Sequence, residues 1–144
     1  METHMTFNLT KDQIEIQQRA RQIASTLVAE NAIEVDKSEQ YPWDNVKALT
    51  DAGFVGMTIP KEYGGPGRSF LEANLVVEEM AAYCGPTGRI AVEANMGAIS
   101  AVMHYGTDFQ KRVAAELVLA GDKPAICITE PDAGSAASQM TTRA

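Results

Sequence analysis

The sequence predicts a mainly α protein, a helical bundle that leads into one β-prone strand. Three observations carry this. Apolar residues recur at helical spacing through most of the chain. Capping residues open these stretches, and Gly or Pro closes them. Beyond Asp122 the pattern changes to a short apolar run and a Pro/Gly/Ser turn.

Thr10 and Gln13 form a capping box. Ile14, Ala20, Ile23, Ala24, Leu27 and Val28 then predict a helix from Lys11 to Ile33. Tyr41-Pro42-Trp43 is an extended break, because Pro42 disfavours helix at Tyr41. Asp44 is expected to cap a short helix through Val46, Leu49 and Ala52, ending at Gly53. Phe54 to Pro60 reads as a strand or a buried connection, and Lys61 to Arg68 as a loop of tight turns. Ser69 and Glu72 open the next helix, with Leu71, Leu75, Val76 and Met80 as its apolar face. Thr87 is expected to cap a helix running to Tyr105, and Gly106 ends it. A last helix starts at Thr107 or Asp108 and closes at Gly121. Leu75, Val76, Ile99, Val102, Val113 and Leu117 are the expected core.

Pro124 to Thr129 is the β-prone run. One strand is not a sheet, and its backbone groups need partners. The expected organisation is a flexible start at 1–9, a helical domain at 10–122, and the opening of a β domain at 123–144. The chain then reads as the N-terminal part of a longer protein, with Glu2 to Met5 as a cloning remnant.

Composition excludes several function classes. Twelve basic residues face 19 acidic ones, for a formal charge of -7, which argues against nucleic acid or an anionic membrane as main partner. Backbone N–H groups can still hold a small phosphate-bearing ligand. Cys84 and Cys127 are too few for a disulfide scaffold or a zinc site, so no metal is expected and a reduced, cytoplasmic setting is. No apolar run approaches the roughly 20 residues of a membrane span. His104 reads as a helix C-terminal residue that complements the dipole. Glu78-Glu79 reads as a solvated helix edge.

The stretch Ile126 to Ser138 holds the informative chemistry. Gly134 permits close backbone approach to a ligand, and its N–H and the Ser135 hydroxyl suit phosphate oxygens. An ordinary strand-to-turn, rich in Ser and Gly, explains the same residues.

Thr129-Glu130-Pro131-Asp132-Ala133-Gly134-Ser135 resembles the T-E-P-x-A-G-S segment of the acyl-CoA dehydrogenase family. Gly56-Met57-Thr58-Ile59-Pro60-Lys61-Glu62-Tyr63-Gly64-Gly65 resembles that family's G-x-x-x-P-E-x-Y-G-G loop. Ala91 to Asn95 and Gly106 to Lys111 are similar to further runs of the family, in order, between Thr10 and Ala144. The resemblance implies an N-terminal helical domain, a middle β domain and a C-terminal four-helix bundle, assembled as a homotetramer. It implies FAD, with Ile126, Ile128 and Thr129 facing the flavin ring and Gly134 and Ser135 near the pyrophosphate. It implies an acyl-CoA substrate, touched by Ser135, and an acceptor such as an electron-transfer flavoprotein. A dehydrogenase of this family removes an α-proton with a Glu of the C-terminal bundle, so no catalytic residue is expected in this chain.

Ala136 departs from the Asp that the family commonly has after G-S. Gly134 to Ser138, with Tyr41 to Asp44 upstream, most resembles a branch that includes 3-sulfinopropionyl-CoA desulfinases. Arg89 bears on that choice. It precedes Glu93 by four residues, so both share a helix face. A surface ion pair worth about 0–1 kcal/mol is one reading. The other follows from resemblance: Gly88 to Glu93 is similar to the family's pocket-floor segment, where an Arg binds an acidic acyl tail, so Arg89 and Glu93 are both expected to bind substrate. The expected function is α,β-dehydrogenation of a short acyl-CoA. Desulfination of 3-sulfinopropionyl-CoA and a non-catalytic helical assembly module are the alternatives.

Overall fold

The computed structural model describes residues 8–143, and Glu2 to Met5 and His4 lie outside them. Helix α1 (Lys11–Ile23) opens on the Thr10–Gln13 box, in which the Gln13 N–H donates to Thr10 Oγ1 at 3.3 Å. It continues through a π turn (Ala24–Val28) into α2 (Ala29–Ser38). The helical run therefore passes Ile33 and stops only where Glu39 turns left-handed, at φ 55°. Ile16, Ala20, Ala24 and Val28, four residues apart, are all buried. A four-residue step overshoots the helical turn of about 3.6 residues, so the stripe would drift round a pure α-helix. The wider π turn takes up that drift.

Helix α3 (Trp43–Asp51) starts one residue before Asp44. The cap position is Pro42, whose carbonyl accepts the Val46 N–H at 3.1 Å. Asp44 is thus a first-turn acid rather than the cap. Its neighbour Asn45 is buried and ties three helices: Asn31 donates to Asn45 Oδ1 at 2.9 Å, and Asn45 donates to Thr87 Oγ1 at 2.8 Å.

Phe54 to Pro60 is a buried connection. Asn95 holds it from beneath, accepting the Met57 N–H at 2.7 Å and donating to the carbonyls of Phe54 and Ala91 at 2.9 Å each. The turns that follow bring backbone onto backbone. A Cβ at Gly65 would sit 2.2 Å from the Ile59 carbonyl oxygen.

Helix α4 (Phe70–Ala81) has the expected Ser69–Glu72 box, and it buries Leu75, Val76 and Met80. Leu71 is exposed, one step off that face. Glu79 is no solvated edge. It is 6% exposed and takes a two-pronged pair from Arg21 of α1, at 2.7 and 3.0 Å.

Two helices stand where one was expected between Thr87 and Tyr105. Helix α5 (Gly85–Asn95) starts ahead of Thr87, because Pro86 fits a first turn, and Thr87 is buried inside it. Met96 and Gly97 break the chain before α6 (Ala98–Tyr105). Helix α7 (Asp108–Leu119) has a Thr107–Gln110 box and closes at Gly121, at φ 91°.

The core gathers Leu49, Phe54, Ile59, Val76, Met80 and Ile99 between α1, α3, α4 and α5. Val102 is only half buried, and Val113 and Leu117 are exposed. Helix α7 turns Ala115 and Val118 inward instead, leaving Val113 and Leu117 in a shallow groove with Tyr105 and Phe109.

Pro124 to Thr129 joins no ladder. Among the described residues the single β-bridge is Glu130 to Ala133, within one turn, so the expected strand lacks a neighbour to pair with. No described helix is long and apolar enough to cross a membrane.

Candidate functional site

A cavity of about 340 Å³ opens between α3, α5 and the segment 122–126. Val46, Val55 and Ala94 form its apolar wall, and all three are buried. Arg89 and Glu93 of α5 line it, as do Asp122 and Lys123 of the segment after α7. This is the concave, mostly apolar, sparsely polar arrangement that small ligands favour.

Arg89 and Glu93 are paired along α5, with the Arg89 side chain 68% exposed and Glu93 13%. The Glu93 carboxylate also accepts the Ala98 N–H at 3.1 Å. Lys123 places its ammonium 4.5 Å from the centre of the Tyr41 ring and 5.2 Å from that of Trp43. The two rings meet edge to face at 4.8 Å. Burial, and then the Asp122 carboxylate, push the Tyr41 phenol above its ordinary pKa. The aromatic pair thus clasps the segment that leaves α7 and seats it over the cavity.

Ile126 lines the cavity with Arg89 and Glu93. Ile128, Thr129, Gly134 and Ser135 do not, and all four are solvent-exposed. A closed loop carries Gly134 and Ser135. The Glu130 carboxylate accepts the N–H groups of Thr141 at 2.9 Å and Thr142 at 2.8 Å, and the Thr141 hydroxyl at 3.2 Å. These donors hold its pKa at about 2.

Sequence reasoning missed the clasp of Lys123 on Tyr41 and Trp43. Tyr41-Pro42-Trp43 signals a break, but nothing local links it to a lysine some 80 positions on. Asn95 was also missed as the strut of the 54–60 connection, since a single Asn near a helix end reads as a terminator.

The acyl-CoA dehydrogenase N-terminal domain model matches residues 10–122. The chain belongs to the acyl-CoA dehydrogenase family. A Variovorax paradoxus protein named 3-sulfinopropanoyl-CoA desulfinase is 61% identical over 138 residues, 96% of this chain and 35% of that protein. A short-chain-specific acyl-CoA dehydrogenase from Clostridium acetobutylicum is 36% identical over 139 residues, 96% of this chain and 37% of its own length. Among solved structures, a glutaryl-coenzyme A dehydrogenase in complex with glutaryl-CoA superposes with a TM-score of 0.85. It is 29% identical, and the match covers 94% of this chain and 35% of that one. The chain therefore spans about a third of the length of the relatives it matches. The acyl-CoA dehydrogenase fold accounts for the helical order seen here.

Proposed function

We propose that the protein carrying this chain is a flavin-dependent acyl-CoA dehydrogenase-fold enzyme that acts on a short acyl-CoA with an acidic tail, namely a 3-sulfinopropanoyl-CoA desulfinase. The observation that carries this reading is Arg89, a guanidinium on the side of an apolar cavity, in a chain with 61% identity to a protein of that name. A guanidinium fork suits a sulfinate as it suits a carboxylate. In the proposed reaction the C–S bond at the β-carbon breaks. The carbon takes a proton, and sulfur leaves as sulfite after gaining a water oxygen. Propanoyl-CoA is the other product, and no electron acceptor is consumed.

FAD is the proposed cofactor, set along Ile126, Ile128 and Thr129 and at Gly134 and Ser135, with Ser135 also near the thioester. These residues fit such a group. Among the described residues the N–H groups of Ile126 to Thr129 have no acceptor, and a Cβ at Gly134 would meet nothing within 4 Å. When bound, a flavin supplies redox chemistry, and the chain's part is to hold and orient it. Homotetrameric assembly and a cytoplasmic setting belong to the same proposal.

The short-chain relative at 36% identity supports a second reading, α,β-dehydrogenation with an electron-transfer flavoprotein as acceptor. One experiment separates the two. The full-length flavoprotein is incubated with 3-sulfinopropanoyl-CoA, and sulfite and propanoyl-CoA are measured. In parallel it receives butanoyl-CoA and an electron-accepting dye. Equimolar sulfite and propanoyl-CoA without dye reduction is the expected result. Dye reduction with no sulfite overturns the desulfinase reading in favour of the dehydrogenase.

A further inference from the structure

A long side chain on an exposed helix face samples many rotamers unless something holds it. Glu93 holds Arg89. One carboxylate oxygen, Oε1, meets Arg89 Nη2. The other, Oε2, accepts the backbone N–H of Ala98 at 3.1 Å. Ala98 opens α6, whose cap residue Gly97 has no side-chain acceptor to offer. Glu93 therefore serves α6 from the preceding helix as a capping residue would, with a charge that suits the positive helix end. Gly97 makes the room. A Cβ at that position would lie 2.2 Å from Glu93 Oε2 and 2.8 Å from the carboxylate carbon.

We propose that Glu93 is a positioning residue for Arg89, with Gly97 as part of the same device. Glu93 fixes the guanidinium by one nitrogen against the α5–α6 corner and leaves the remaining N–H groups facing the acidic tail. This rests on the assignment of Arg89 to the tail of the acyl group. It also sets Glu93 apart from direct substrate contact. Both of its oxygens are engaged, and a carboxylate facing an anionic tail would repel it.

The test uses the full-length flavin-loaded enzyme and two thioesters matched in bulk. Succinyl-CoA ends in a carboxylate, and 4-methylpentanoyl-CoA ends in the isopropyl group of similar shape. Dissociation constants come from calorimetry. Gly97→Ala keeps both charges and puts a methyl 2.2 Å from the carboxylate oxygen, which must move away. Glu93→Gln keeps an acceptor for the Ala98 N–H, so it preserves the corner if Gly97→Ala fails to fold. Each variant should weaken succinyl-CoA by about tenfold, the worth of one well-placed hydrogen bond to a charged group. Each should move 4-methylpentanoyl-CoA by less than about threefold. Arg89→Met should weaken succinyl-CoA at least as much.

Equal weakening of both thioesters, or none, in Gly97→Ala and Glu93→Gln overturns the positioning role. If Arg89→Met alone separates the two thioesters, Arg89 keeps its assignment and Glu93 loses its own. If Arg89→Met does not separate them, both assignments fall together.

Discussion

Replacing Asn95 by Ala removes the strut beneath the 54–60 connection. Asn95 is fully buried, and its side chain satisfies the Met57 N–H and the Phe54 carbonyl, which lie in buried residues. The third bond, to the Ala91 carbonyl, is less costly to lose, because a helix carbonyl four residues back already accepts the Asn95 N–H. Two buried backbone groups are therefore left unpaired, at about 1–3 kcal/mol each. The expected loss is about 2–6 kcal/mol, a large share of the 5–15 kcal/mol typical of a whole domain. Asn95→Asp separates the two groups. A carboxylate still accepts from Met57 but cannot donate to Phe54, and it carries a charge into a fully buried site beside two carbonyl oxygens, so its stability loss should be at least that of Ala. Urea unfolding of the full-length protein gives the stability, and hydrogen exchange gives the local effect. The Met57 amide should lose its protection in Asn95→Ala and keep it in Asn95→Asp. Unchanged Met57 protection in Asn95→Ala, with a stability loss under about 0.5 kcal/mol, would refute the reasoning.

Two further outcomes are expected. Gly65→Ala should destabilise strongly, because the added methyl meets the Ile59 backbone at 2.2 Å and backbone cannot rotate away; a melting temperature within about 1 °C of the native protein would contradict that. The loop 130–142 should tighten with pH. Glu130 has its folded pKa lowered from 4.5 to about 2, so its contribution is complete above the unfolded value and is lost as pH falls through the folded one. Exchange protection of the Thr141 and Thr142 amides should hold at pH 4 and fade near pH 2, whereas Glu130→Gln should lack it throughout.

Much of the helical order was legible because its signals are local. Thr10 with Gln13 and Ser69 with Glu72 each predicted a helix start that the structure has, and of the two candidates Thr107 and Asp108 the structure makes Thr107 the cap. The errors came where tertiary packing outranks local pattern. Asp44 loses the cap to Pro42, whose neighbours Tyr41 and Trp43 pack against the distant Lys123. The expected helix 87–105 breaks at Gly97, where Glu93 folds under the turn. Val113 and Leu117 have the right period but the wrong phase. A period of 3.6 shows that a helix has an apolar face, and not which of two faces a neighbour covers. Glu79 looked solvated because its partner, Arg21, is 58 positions away. At the candidate site, Arg89 and Ile126 came together in one cavity, whereas nothing local announced the aromatic clasp at Lys123.

The π turn has a consequence for angular phase. A single residue accommodated in that wide turn sets the rotation of α2 relative to α1, and one residue more or less would swing α2 by about 100° about its axis. Asn31 would then leave Asn45, and Asn45 would lose the neighbour that completes its link to Thr87. Thr87 lies two residues before Arg89 on the same helix. The chain Asn31–Asn45–Thr87 thus works like a keyway. It indexes the helix that bears the cationic side of the cavity to a turn more than 50 residues upstream.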